Sequence, residues 1–369
     1  MTLIQTGQEI RFGLVGCGHV VQDLHLPAWS IIPEAKLTAI CDPSTASLEA
    51  VSARVPGARR YPSLDDFLDD AAGLAFVVLA TPGVTHPELA QKILARGINL
   101  LCEKPLALTA RDAHRMCALA DETGAMLTAI HNYRFKENTR QALRVMRHGG
   151  LGDIVAVNLK FRSGSLYGDQ VLWRRREREH RTLLFDYAIH LVDIAMLFLG
   201  PLVSLQFVDA DVDSAGIQRV LFGTVHQSGA RGAFDLMIDA SSTSTEIEVL
   251  GESAGLALEF FPQGFRRLPA RDNPLHRSLA EGSRLVAFAR DTIVDKLLRP
   301  KCSHRARSHA DLFKAFVAAI RGEQPNPVPG REVLQTIQLL DEVAGRSYRT
   351  PYAEKFKNGW AKESTAPAK

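Results

Sequence analysis

Between residues 10 and 133 the chain repeats a short, continuously apolar run followed by a stretch of mixed polarity. The runs are IRFGLVG (10–16), LTAICD (37–42), LAFVVLAT (74–81), INLLCE (98–103) and AMLTAIHNY (125–133). Unbroken apolar character, rather than alternation, is what strands covered on both faces require. Between them, HPELAQKILAR (86–96) has helical spacing and precedes Gly97, while ARDAHRMCALADETG follows Thr109 and stops at Gly124. A threonine before a helix and a glycine after it satisfy the amides and carbonyls that helix ends leave unpaired. Strand alternating with helix predicts right-handed βαβ units and a parallel sheet.

After about residue 150 the pattern changes. LGDIVAVNLKFRS, VSLQFVDADVD, QRVLFGTVHQSG, RGAFDLMIDAS, STEIEVLGES and AGLALEFF follow one another with Gly or Ser between them. That is the pattern of hairpins in an open, mostly antiparallel sheet. One long apolar helix interrupts it, TLLFDYAIHLVDIAMLFLG (182–200). An amphipathic stretch spans 275–300, the segments HADLFKAFVAAIRG and GREVLQTIQLLDEVAG add two helices, and NGWAKESTAPAK reads as a frayed tail.

A length of 369 residues exceeds one ordinary core and predicts two domains. A net charge of +3 gives no support to a nucleic-acid or membrane partner. The start lacks a basic segment followed by an apolar one, and no apolar run approaches the ~20 residues that span a bilayer, so a cytoplasmic protein is expected. The five cysteines, at 17, 41, 102, 117 and 302, are odd in number and lack metal-ligand spacing. They predict reduced thiols, with no disulfide framework and no metal site.

The first apolar run ends in Gly16-Cys17-Gly18, where a strand should turn into a helix. Glycines there let backbone approach a ligand, and the helix N-terminus around His19 and Val20 favours a pyrophosphate. Val21 stands at the third position of G-x-G-x-x-G. Asp42 ends the next strand about 20–25 residues on, where a dinucleotide site places a carboxylate on the adenosine ribose. Asp42 equally suits the opening of the turn DPS. A carboxylate without a following Arg favours NAD, with NADP possible.

LLCEKPLALT puts Glu103, Lys104 and Pro105 at the carboxyl end of a buried strand, where open parallel sheets bind ligands. Lys104 suits a substrate hydroxyl or a nicotinamide ribose, and a cationic nicotinamide nearby lowers its pKa. It equally suits a solvated pair with Glu103. In FDYAIHLVDIA, Asp186, His190 and Asp193 fall at i, i+4 and i+7 of a helix, on one face. An Asp one turn before a His orients an imidazole for general-base work; a core histidine satisfied by a local carboxylate gives the same spacing. Thr81, Pro82 and His86 in LATPGVTHPELA lie after the third strand and also read as a capped helix start. VLWRRREREHR (171–181), with Trp173 and Arg174, is a candidate clamp for an acidic substrate group or a solvated loop. The basic patch RPKCSHRARSH (299–309) reads chiefly as a solvated surface.

Taken in order and spacing, GLVGCGHV, AICD, LATPGVTH, LLCEKPLALT, HNYRF and FDYAIHLVDIAMLFLG resemble the Gfo/Idh/MocA family of glucose–fructose oxidoreductase, inositol dehydrogenase and rhizopine-catabolism proteins. The resemblance runs from about residue 10 to 350. It implies an α/β protein: an N-terminal Rossmann dinucleotide-binding domain (8–133), then a C-terminal α+β domain with an open, mostly antiparallel sheet (134–350), and a tail (351–369). Some C-terminal helices are expected to pack back on the first domain. It also implies hydride transfer between NAD(P) and a secondary alcohol of a sugar, polyol, sugar acid or nucleotide sugar, by a homodimer or homotetramer paired through the open sheet. Lys104, Asp186 and His190 are then the catalytic residues, and Asp42 holds the adenosine ribose. Gly16, Gly18, His19, Val20, Thr81, Pro82, His86 and Glu103 line the cofactor, while Arg134, Trp173 and Arg174 face the substrate. Three departures stand out: Gly83 where many members have Asn, EHRTLL in place of a Gly-rich lead-in to the catalytic helix, and Val21. A closed redox cycle on tightly held NAD, or a non-catalytic dinucleotide-binding regulator, are the alternative functions.

Overall fold

A computed structural model describes residues 9–163, 183–213, 216–238, 243–260, 263–268 and 304–349. Among these, one compact unit takes residues 9–135 and 304–337, and a second takes those from 136 to 268 and 338–349.

The first unit is built on six parallel strands: β1 (Ile10–Val15), β2 (Ala35–Cys41), β3 (Arg59–Tyr61), β4 (Phe76–Leu79), β5 (Asn99–Cys102) and β6 (Leu127–Ala129). Their order is β3-β2-β1-β4-β5-β6. The order reverses between β1 and β4, and the crevice at the carboxyl ends of that pair is where such sheets bind ligands. Five of the strands coincide with the apolar runs. The sixth, β3, was not expected, because its Arg-Arg-Tyr is too short and polar to read as a strand.

Local sequence sets the helices. These are α1 (residues 19–29), α2 (Thr45–Ser52), α3 (Leu64–Asp69), α4 (His86–Leu94) and α5 (Ala110–Thr123). The Thr109 hydroxyl accepts the Asp112 amide at 3.1 Å, and Gly124 closes α5 with φ +70°. On one sheet face, Phe12 stacks on Phe76 while Trp29 stacks on Phe313 of the helix His304–Ile320. That helix is thereby fixed beside α1. At the other end of the sheet, residues 326–329 cover the edge of β6. Thr128 Oγ1 donates to Asn326 Oδ1 at 2.8 Å, Asn326 Nδ2 donates to the Leu127 carbonyl at 2.9 Å, and the Ala129 amide donates to the Val328 carbonyl at 3.0 Å.

The second unit is a seven-stranded sheet in the order β13-β12-β11-β7-β10-β9-β8. Its strands are β7 (Ile154–Ser163), β8 (Leu202–Asp213), β9 (Gly216–His226), β10 (Arg231–Ile238), β11 (Ser244–Gly251), β12 (Gly255–Phe260) and β13 (Gln263–Leu268). Only β7 and β10 pair in parallel; the other pairs are antiparallel. Alternation divides the sheet into two faces. Val157, Leu159, Phe161, Phe222, Phe234, Ile247 and Val249 are buried, whereas Lys160, Leu221, Asp235 and Glu246 lie on the opposite face. Helices α6 (Glu137–Arg147) and α7 (Ile189–Leu199) belong to this unit. GREVLQTIQLLDEVAG supplies the helix Leu334–Ser347. Among the described residues no helix is long and apolar enough to cross a membrane.

The strap over β6 rests on one amide side chain. Asn326→Ala leaves Thr128 and the Leu127 carbonyl short of partners, and is expected to lower the unfolding free energy by about 1–3 kcal/mol in urea titration.

Candidate active site

The Gly16-Cys17-Gly18 turn leaves β1 at the crevice between β1 and β4. Gly16 has φ +95°, and a Cβ there would meet the Ala80 carbonyl oxygen at 2.4 Å, so this glycine packs the turn against the end of β4. Gly18 is different: a Cβ on it would meet nothing within 4 Å. Gly18 and His19 are exposed and Val20 half-buried, at the start of α1. An exposed glycine turn at a helix N-terminus is the cradle a pyrophosphate needs, and these residues fit a dinucleotide. Val21, at the third glycine position, is fully buried, and α1 is wound as a π-helix from Val21 to His25.

Asp42 does two things at the end of β2. Its Oδ2 accepts the Cys17 amide at 2.8 Å, tying the carboxylate to the glycine turn. Its Oδ1 accepts the Ser44 amide at 2.8 Å, which is the turn-opening role. Asp42 is half-buried, and the turn-opening reading is the one these bonds show. Burial, with Asp42 adding to it, pushes the Cys17 and Cys41 thiols up to about 12, so they stay protonated and unreactive.

At the end of β5, Glu103 is buried and Lys104 half-buried, and the Lys104–Pro105 peptide is cis. Both carboxylate oxygens of Glu103 have partners within the protein. Its Oε1 faces His25 Nε2 at 2.7 Å, and its Oε2 accepts the backbone amide of Lys104 at 3.0 Å. Burial alone would raise this carboxyl. The His25 hydrogen bond and the charges of His25, His309 and Lys104 outweigh it and hold the group at about 2. Both oxygens of the Glu103 carboxylate are thus engaged by protein groups.

His86 is likewise held by protein groups. It is fully buried, with Nδ1 at 2.7 Å from the Pro105 carbonyl and Nε2 at 2.9 Å from that of Thr81. Burial holds its pKa below the ordinary value, against both carbonyls, which favour a proton. The neutral ring donates its one N–H to one of these carbonyls and lies between the loop after β4 and the Lys104–Pro105 turn. Gly83 lies in that contact: a Cβ there would come within 2.9 Å of Pro105 Cγ. Pro82 is exposed, and Thr81 is half-buried with its hydroxyl 2.7 Å from that of Thr85. Arg134 is paired with Glu332 at 2.9 Å, so its guanidinium already has a carboxylate partner.

In the second unit Asp186 falls in a π-wound segment, Leu183–Ala188, and His190 in α7. Asp186 is half-buried, His190 is 9% exposed and Asp193 1%. The expected polar stripe is thus not a solvent face. Apart from half-buried Leu197, α7 is buried all round, and Asp193 lies in the core. Trp173, Arg174 and the rest of the arginine-rich loop lie outside the described residues, as do the lead-in EHRTLL up to Thr182 and residues 299–303 of the basic patch. Ser308 and His309, at the end of that patch, are buried rather than solvated. Asn132 Nδ2 donates to Ser308 Oγ at 2.9 Å and faces His309 Nδ1 at 3.4 Å. His25 was given no role in the sequence, and His309 was read only as part of the basic patch.

Two expectations follow from this geometry. Gly18→Ala is expected to weaken NADH binding about tenfold or more, read by fluorescence titration, with an unchanged melting temperature. Gly16→Ala, by contrast, should lower the melting temperature itself. For Glu103 the folded-state pKa of about 2 lies below the ordinary 4.5, so its stabilisation is complete above about pH 4.5 and is lost as the pH falls toward 2. Glu103→Gln is expected to flatten the acid limb of the stability–pH curve over that window.

Residues 10–131 match the oxidoreductase family with an NAD-binding Rossmann fold, and residues 139–257 match the GFO/IDH/MocA C-terminal domain. The chain is 26% identical to D-apiose dehydrogenase of Paraburkholderia graminis, over 94% of this chain and 90% of that protein. It is 24% identical to inositol 2-dehydrogenase of Rhizobium meliloti, over 90% and 95% respectively. The crystal structure of the WlbA dehydrogenase from Bordetella pertussis, in complex with NADH and UDP-GlcNAcA, has the same fold at a TM-score of 0.75 and 24% identity, covering 93% of this chain and 97% of that one. With a glycine cradle on β1, an acidic residue at the end of β2 and both family domains matched in order, the chain belongs to the GFO/IDH/MocA family of NAD-binding oxidoreductases.

Proposed function

We propose that this protein is a dehydrogenase that oxidises a secondary alcohol of a sugar, polyol, sugar acid or nucleotide sugar, with Lys104, Asp186 and His190 as its reaction residues. The observation that carries the reading is the setting of Lys104. A half-buried lysine stands at the carboxyl end of a central strand, its backbone amide held by a buried carboxylate, in a sheet whose first turn is a dinucleotide cradle. NAD supplies the hydride acceptor when bound. Gly16, Gly18 and the amides at His19 and Val20 hold its pyrophosphate, and Asp42 holds the adenosine ribose and disfavours a 2′-phosphate. His190 takes the hydroxyl proton, with Asp186 orienting the imidazole, and the Lys104 ammonium steadies the alkoxide that develops.

The named relatives and the fold neighbour act on or carry a pentose, an inositol and a nucleotide sugar, which supports this substrate class. We further assign the outer face of the second sheet to pairing with another copy, as a homodimer or homotetramer. Phe207 is 55% exposed on that face, and Gly223 leaves room for its ring. The four described cysteines are free and buried, which suits a reducing, cytoplasmic setting.

Absorbance at about 340 nm, followed while inositols, free sugars, sugar acids and nucleotide sugars are mixed with protein and NAD, tests the activity. One class is expected to give a growing signal, and His190→Ala to lower kcat about 100-fold or more. A panel with no signal, despite NADH binding, would remove the dehydrogenase reading.

A further inference from the structure

Three titratable side chains from separate parts of the first unit meet below Lys104. His25 ends the π-wound part of α1, Glu103 follows β5, and His309 lies in the helix His304–Ile320. All three are buried, and one ligating atom from each lies within 4.8 Å of the other two. The His25 and His309 rings are 5.5 Å apart, and Phe313 packs edge-on against His25 at 5.2 Å.

We propose that His25, Glu103 and His309 form a positioning relay that links the dinucleotide cradle to Lys104. Glu103 spends one oxygen on His25 and the other on the backbone amide of Lys104, so the carboxylate fixes the direction in which the lysine leaves the strand. A carboxylate in an apolar interior needs positive charge or hydrogen bonds around it, and the two imidazoles supply them. His25 sits on the same helical stretch that begins at the cradle, one π-wound segment further on. A shift of the cradle when a dinucleotide binds is thus transmitted through His25 and Glu103 to the lysine backbone. His309, against Asn132, closes the arrangement from the far side. The inference rests on Lys104 being a reaction residue.

Two histidines and a carboxylate also suggest a metal centre, but the hydrogen bonding favours the relay. The 2.7 Å contact is a donor–acceptor distance, and Oε2 is committed to an amide. A metal-bound histidine gives its second N–H to an acceptor, whereas His25 Nδ1 is buried without one.

The test uses Glu103→Gln, His309→Phe and Lys104→Met in the full-length protein, with three readouts. Glu103→Gln and His309→Phe are expected to lower kcat about 10- to 100-fold at nearly constant KM, because a misdirected reaction group costs rate rather than substrate binding. In the Lys104→Met background the same changes should have no further effect on kcat, a coupling that a purely structural role does not produce. Independently of turnover, acylation of Lys104 mapped by mass spectrometry should speed up severalfold in both relay variants, while Lys92 and Lys314 label as before. Additive losses in kcat, with unchanged labelling of Lys104, would overturn the relay. One equivalent of a transition metal in the purified protein, lost in His309→Phe, would overturn it in favour of a metal centre. Should Lys104→Met keep full kcat, the reaction reading itself fails; should it lose kcat while both relay variants keep theirs, only the relay fails. If Glu103→Gln does not fold, His309→Phe carries the same three readouts.

Discussion

The carboxylate of Glu103, buried at the end of the fifth strand, is the constraint around which the first unit is organised. A charge in that position is tolerated only with compensation, and the compensation comes from far along the chain. His25 arrives from the first helix, 78 residues away, at 2.7 Å. His309 comes from the helix His304–Ile320, which stacks Phe313 on Trp29. Satisfying one acid therefore draws together the first helix, the fifth strand and a helix that belongs to the first unit despite following the second sheet in sequence.

A division of labour follows among the residues around the crevice. Those closest in sequence to the ligand-facing groups mostly hold backbone rather than ligand. Glu103 holds the Lys104 amide, His86 lies between the Thr81 and Pro105 carbonyls, and Asp42 holds the Cys17 and Ser44 amides. Gly83 and Gly16 are small because backbone or a proline ring passes where a side chain would stand. What stays open at the crevice is the space at Gly18, where a Cβ would meet nothing within 4 Å. A site of this kind is precise because its loops are tied down before anything binds.

The fold was largely legible because its signals are local. Continuous apolar runs located five parallel strands, and Thr109 and Gly124 marked both ends of α5 to the residue. β3 escaped because a three-residue edge strand carries no periodicity, and its pairing to β2 is a tertiary fact. The sequence placed Gly16, Gly18, Asp42 and Lys104 at strand ends, and the structure has them there, at the ends of β1, β2 and β5. Roles were less legible than positions. The inward partners of Glu103 and His86 were not legible, since they are distant in sequence or are backbone groups. His309 was hidden for the opposite reason: a run of basic residues implied solvent, while helical phase placed it against the core.

The central claim is hydride transfer from a carbinol carbon to the nicotinamide, and isotope transfer tests it most directly. A substrate deuterated at the reacting carbon would be turned over with NAD, and the reduced cofactor examined by proton NMR. The account predicts deuterium at C4 of the nicotinamide on a single face, with loss of transfer in Lys104→Met and His190→Ala. Product formed without any deuterium in the free cofactor would contradict it, and would point to a redox cycle that closes on the protein.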